Sequence, residues 1–264
     1  ILAQTTDVLG ACTATLAARQ VEGWQRRILA TVVGEIAVWL CPGEGGAVLQ
    51  VHAPGQHPLQ PDQVAADART TVLVELPGHG ASSEVSALPD AATMQAALQA
   101  ICTQLLAGKP LEIHAHEGAC SYVPALVAAL GTQVSGVVLH RPWLLDAAEC
   151  QTFLQQLPDP QVHRAGGHMA EAWQWERERH LLWPWLAPSM EARRRVAGPP
   201  TAQVHANVVE LLRLGRQLHA LFAHVAVPGL AEAVAALPVP VRLVYTEQDD
   251  YRQRMAALAQ RLAG

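Results

Sequence analysis

The sequence predicts an α/β fold: a mostly parallel central sheet with flanking helices, interrupted by one helical insertion. Three observations lead there. Continuous apolar runs, such as TVLVEL at 71–76 and VSGVVLH at 134–140, have the composition of strands buried on both faces. Strand-like and helix-like stretches alternate from about 71 to 140, which implies right-handed crossovers between parallel strands. From about 146 to 235 the patterns are helical without a convincing strand, and alternation resumes at Pro240 with VRLVYTEQDD.

Taken in order, residues 5–20 form a candidate leading helix capped by Thr6 or Asp7. Strand patterns follow at Gln25–Val33, Glu35–Leu40 and Ala47–Ala53, with turns at Gly34 and in CPGEGG at 41–46. PGQHPLQ is a loop carrying His57. The strand from 71 runs into the Gly-rich loop that ends at Ser82. Residues 90–107 are helical by period, with Asp90 as N-cap, and Gly108-Lys109-Pro110 ends that helix. Leu111–Ala115 is a short buried strand, followed by a small-residue turn and an apolar helix to Leu130. Arg141-Pro142 closes the strand 134–140. The insertion holds Trp173, Trp175, Trp183 and Trp185, four of the seven tryptophans, and MAALAQRLAG forms a final helix.

Composition narrows the function. The 264 residues are 50% hydrophobic and 16% charged, enough for a sizeable core. A net charge of −5 argues against nucleic acid or an anionic membrane as partner, since both want a basic face. The one basic run, Arg193–Arg195, is expected to be a solvated helix end. The five cysteines, at 12, 41, 102, 120 and 150, are odd in number and form no CxxC pair. They fit reduced thiols in a cytoplasmic protein better than disulfides or a zinc site. No apolar run reaches the roughly 18–20 residues of a membrane span, and no signal peptide is expected.

Several segments together resemble the α/β-hydrolase superfamily. Glu75-Leu76-Pro77-Gly78-His79-Gly80-Ala81-Ser82 is similar to its D-x-P-G-H-G-x-S loop. Val51-His52-Ala53-Pro54-Gly55 resembles the loop that supplies an oxyanion-hole amide, and Ile113–Cys120 resembles the nucleophile elbow. Tyr245-Thr246-Glu247-Gln248-Asp249 resembles the strand and loop that carry the family's acid. The resemblance implies a core of residues 1–145 and 236–264, with 146–235 as a helical cap. The cap segment GGHMAEAWQWERERHLLWPW is similar to one in bacterial members.

At the elbow the frame is Ala115-His116-Glu117-Gly118-Ala119, with Glu117 where the family places its nucleophile. Small neighbours suit a strained strand-to-helix turn. The free amides of the following helix favour a negative charge at 117. Three roles stand open for Glu117: covalent nucleophile, general base acting through water, or an inert acid replacing a lost nucleophile. Cys120 and Ser121 lie past the elbow tip. The resemblance puts Asp249 at the acid position, but no His follows it in this sequence. It therefore implies either a strand and His after Gly264 or a degenerate triad. Amides near Ala53 and Gly118 would form the oxyanion hole. His52, His57, His116, His140, Trp183 and Trp185 are the candidate pocket residues. Histidine spacing suggests no metal site, and no cofactor is expected. The function expected is hydrolysis of a small, partly apolar ester or related carbonyl compound. The alternatives are a non-catalytic pseudo-hydrolase serving binding or assembly, and a lyase or isomerase with Glu117 as base. The partner is a small-molecule substrate or ligand, with a homodimer as a further option.

Overall fold

A computed structural model of the chain describes residues 21–65, 67–84, 90–159, 161–182, 189–194, 198–249 and 251–263. The helix expected over 5–20, and Trp183 and Trp185, lie outside the described residues.

The described strands are β1 (Gln25–Thr31), β2 (Gly34–Cys41), β3 (Ala47–Val51), β4 (Thr70–Val74), β5 (Leu111–His116), β6 (Val134–His140) and β7 (Val241–Val244). They form one sheet in the order β1-β2-β4-β3-β5-β6-β7. β1–β2 and β2–β4 pair antiparallel, and every later pairing is parallel. β3 and β4 are buried at every position, including Gln50 of β3 and Thr70 and Thr71 of β4.

Eight described α-helices accompany the sheet: α1 (Ala91–Leu106), α2 (Val123–Leu130), α3 (Ala147–Gln155), α4 (Gly167–Leu181), α5 (Thr201–Leu214), α6 (Leu218–Val225), α7 (Leu230–Ala235) and α8 (Arg252–Ala263). The side chain of Asp90 accepts from the Thr93 amide at 2.8 Å and caps α1. Asp146 and Glu149 form a reciprocal capping box that starts α3. After β5 the chain first winds as a 3-10 turn, Glu117–Tyr122. It becomes α-helical only at Val123, where Pro124 fits the donor-free first turn.

Five helices, α3 to α7, separate β6 from β7, where the sequence predicts the insertion. An aromatic cluster joins them to the sheet. The Phe222 ring of α6 lies 5.2 Å from Phe153 of α3 and 6.0 Å from Trp143, just after β6. Trp175 of α4 lies 6.1 Å from Phe222. The Gly-rich loop after β4 folds around a buried carboxylate. Glu75 pairs with Arg26 and accepts from the Ala81 amide at 2.6 Å. A Cβ on Gly80, whose φ is +55°, would fall 2.3 Å from Glu75 Oε2, so no other residue fits there.

Phe222 is almost fully buried at the centre of the aromatic cluster. Phe222→Ala is therefore expected to lower stability by about 3–5 kcal/mol. Urea unfolding measures this; a loss below about 1 kcal/mol would mean the helices do not rest on this cluster.

Candidate functional site

The loops that leave the C-terminal ends of β5, β6 and β7 meet around a cavity of about 60 Å³. Its lining holds Glu117 after β5, Arg141, Trp143 and Leu145 after β6, and Asp249 and Tyr251 after β7, together with Arg179, His180 and Arg194. The carboxyl edge of neighbouring parallel strands is where open α/β sheets bind ligands.

Three non-glycine residues among the described ones have a left-handed backbone: Glu117 (φ 50°), Arg141 (φ 50°) and Tyr251 (φ 59°). All three line this cavity. Each such conformation costs on the order of 1–3 kcal/mol and persists only where the surroundings enforce it. Beside Glu117 the packing is tight. The elbow presses Gly118 so closely on Trp143 that an added Cβ would lie 3.0 Å from the indole ring.

Glu117 is buried, and its carboxylate is almost fully engaged. Oε2 accepts from Gln56 Nε2 at 2.7 Å and from Arg179 Nη1 at 3.2 Å. Oε1 pairs with Arg141 Nη2 at 2.9 Å. Burial alone would push its pKa up. The charges of Arg179 and Arg141, with the Arg179 hydrogen bond, outweigh that and hold it down at about 2.

The network continues into the helices. Arg179 Nε donates to Glu176 Oε2 at 2.6 Å. Asn207 Nδ2 donates to Glu176 Oε1 at 2.6 Å, and His180 Nε2 lies 3.1 Å from the same oxygen. The His57 amide donates to Asn207 Oδ1 at 2.9 Å, and His57 Nδ1 lies 3.3 Å from Glu210 Oε1. A continuous polar chain therefore ties the loop after β3 to α4 and α5. Two buried carboxylates, Glu176 and Glu210, are each paired with a cation, as burial of charge demands.

Of the residues nominated from sequence, the cavity brings together Glu117 and Asp249. Asp249 turns one oxygen back to the Thr246 amide in its own loop. Among the described residues no histidine nitrogen is bonded to either carboxylate. The other described nominees lie outside the cavity lining. His52 is buried, with Nδ1 on the Ala53 carbonyl at 2.9 Å and Nε2 accepting from the Leu76 amide at 3.0 Å. Ala53 is buried beside it, and Gly118 is packed beneath Trp143. His116 stacks on His140, with centroids 4.2 Å apart and planes 6° from parallel. His116 also reaches Gln50 at 3.2 Å, and His140 reaches His114 at 3.3 Å. Burial, then each other's proximity, lowers His116 to about 3; burial, then His114, lowers His140 to about 4.

Gln56, Arg141, Arg179, His180 and Arg194 were not singled out from the sequence. One signal was available: Glu176 stands three and four residues before Arg179 and His180, the spacing of paired side chains on one helix face. Of the run Arg193–Arg195, the described residues Arg193 and Arg194 depart from the solvated helix end expected of it, and Arg195 lies outside the described residues. Residues 189–194 are turns with an isolated bridge from Leu182 to Arg193, and Arg194 reaches the cavity. The Arg194 amide bonds the Leu181 carbonyl at 2.8 Å, which fixes that approach. Burial lowers its pKa while Asp249 opposes the shift.

No protein-family model matches the chain, and no curated protein matches it. Solved structures do. A thermophilic esterase from Thermogutta terrifontis, with malate bound, is 18% identical; the match covers 90% of this chain and 86% of that one, with a TM-score of 0.63. An alpha/beta hydrolase fold protein from Burkholderia ambifaria is 16% identical over 90% and 86% of the two chains, with a TM-score of 0.64. The Cif epoxide hydrolase from Acinetobacter nosocomialis is 15% identical over 97% and 84%, with a TM-score of 0.58.

Two pH responses follow. Glu117 should stay ionised far below the ordinary glutamate range, because its folded pKa lies near 2 against 4.5 when free. Its stabilisation is present above pH 4.5 and is lost as pH falls through about 2. In ¹³C NMR its carboxyl signal should keep the ionised shift at pH 4; titration near 4.5 would contradict the ion pairing. His116 and His140 are held neutral when folded but take protons near 6.5 when unfolded. Stability should therefore fall as pH drops from 6.5 towards 4, and the urea midpoint at pH 5 should lie below that at pH 7. An equal or higher midpoint at pH 5 would contradict the burial of neutral histidines.

Proposed function

The chain has the α/β-hydrolase fold, and we propose that on it the protein works as a ligand-binding pseudo-hydrolase. Its cavity at the ends of β5, β6 and β7 holds a small molecule that Glu117 does not turn over. The observation that carries this reading is the state of Glu117. A carboxylate with a pKa near 2, paired with two guanidinium groups and an amide, is a weak base. Its lone pairs are directed to donors already in place, so attack on a substrate would first break those contacts. Gln56 comes from the loop expected to supply the oxyanion hole, and it donates to Glu117 instead.

In this reading α3 to α7 form a cap over the cavity, anchored by Arg179 and by the chain from Glu176 to His57. The cavity survives as a binding site, which accounts for three strained residues being kept around it. Among the described residues no helix is long and apolar enough to cross a membrane. The described cysteines Cys41, Cys102, Cys120 and Cys150 are free thiols, which supports a reducing, cytoplasmic setting.

A second reading, hydrolysis of a small ester with Glu117 taking part, is favoured by the left-handed backbone kept at Glu117. A panel of short and long p-nitrophenyl esters separates the two. The binding reading expects wild type and Glu117→Gln to release p-nitrophenol at the same rate, at the level of buffer alone. Turnover in wild type that Glu117→Gln removes would overturn it in favour of the hydrolase.

A further inference from the structure

The cavity's charges and walls define what it can hold. Its lining sets three arginines, Arg141, Arg179 and Arg194, against two carboxylates, Glu117 and Asp249. Arg179 has Nη1 on Glu117 and Nε on Glu176, its Nη2 is buried without a partner among the described residues, and its side chain is only 9% exposed. Arg141 is different. Its side chain is 50% exposed, and among the described residues its ion pair is made through Nη2 to Glu117. The same guanidinium also lines the cavity. Its backbone is held in the strained left-handed region, which fixes the side chain's starting direction. The Arg141 amide donates to the Val244 carbonyl at 3.0 Å and ties that conformation to β7. Trp143, Leu145 and Tyr251 supply an apolar and aromatic wall beside these charges.

From this juxtaposition we infer that the cavity recognises a small organic monocarboxylate, its carboxylate accepting from the Arg141 guanidinium and its apolar body against Trp143 and Tyr251. A guanidinium edge matches a carboxylate with two parallel hydrogen bonds, a geometry an ammonium cannot offer. Arg194 adds a second positive charge to the same lining. Asp249 and Glu117 set the limit: the lining carries one positive charge in excess, so a monoanion balances it and a dianion does not. Glu117 contributes by holding Nη2 of Arg141, which orients that guanidinium. The inference rests on the reading of this cavity as a ligand site and names the ligand class for it.

Benzoate and its neutral isostere benzamide are suitable probes, measured by titration calorimetry on the whole chain, with inorganic phosphate as a third titrant. Benzoate should bind at one site. Benzamide should bind at least about tenfold more weakly, because hydrogen bonds between charged groups exceed those to a neutral amide by that order. Arg141→Asn keeps a residue that tolerates the left-handed backbone, and it should weaken benzoate by about tenfold or more. A thermal melt of this variant checks folding, and Arg194→Gln, which replaces none of the residues with a left-handed backbone, gives a second variant expected to weaken benzoate. Equal binding of benzoate and benzamide overturns the inference, as does wild-type affinity in both variants. Absence of benzoate binding overturns it too, and phosphate binding without benzoate binding replaces it with an inorganic-anion site. Ester turnover measured on the same preparation is a separate readout. Turnover dependent on Glu117 would remove the pseudo-hydrolase reading, while a benzoate preference would leave the carboxylate site standing.

Discussion

The pairing of Glu117 with Arg179 and Arg141 is the interaction on which the rest of the site depends. A carboxylate this deeply buried could not stay charged without compensation, and desolvation alone would raise its pKa. Two guanidinium groups reverse that, one from α4 and one from the loop after β6. The same contact fastens the helical insertion to the elbow. Removing either side would leave a buried charge unpaired, and such losses run to several kcal/mol. Glu117 is therefore held by the insertion as much as it holds it.

Geometry elsewhere follows from that anchor. The parallel strands β5, β6 and β7 end side by side, so the residues that follow them converge. The backbone turns sharply at each exit, and Glu117, Arg141 and Tyr251 all take left-handed conformations there. The cluster of aromatic rings beneath, from Phe153 to Phe222, gives the rigid floor that can enforce such conformations. Strain gathered at one cavity is the pattern of a binding or catalytic site rather than of a folding requirement. What bears on the choice is the charge state of Glu117, a carboxylate already bonded to strong donors.

The sheet and its insertion were readable from the sequence because they rest on local patterns. Continuous runs rich in apolar residues mark β4 and β6, and a buried strand followed by small residues marks β5 and its elbow. The D-x-P-G-H-G-x-S resemblance at 75–82 has a physical counterpart: Glu75 fills the space a side chain at Gly80 would need. The site was less legible. Position 117 stood out, but its partners come from residues 56, 141 and 179, which nothing in the chain's local pattern joins. Arg194 read as part of an exposed basic run, because sequence does not reveal that 189–194 turns back onto Leu181. His52 looked like a pocket residue through its place after β3, yet both of its ring nitrogens serve the backbone of the loops around it. Histidine, unlike leucine, gives no sign in sequence of which way it faces.

A double-mutant cycle between Glu117 and Arg179 tests the central claim most directly. The unfolding free energies of wild type, Glu117→Gln, Arg179→Met and the double variant would be compared at neutral pH. An anchoring ion pair predicts a coupling of about 1–3 kcal/mol, with the double variant more stable than the sum of the single losses allows. A coupling within about 0.5 kcal/mol of zero would contradict it, and would mean that Glu117 is held by the elbow alone and is free to react.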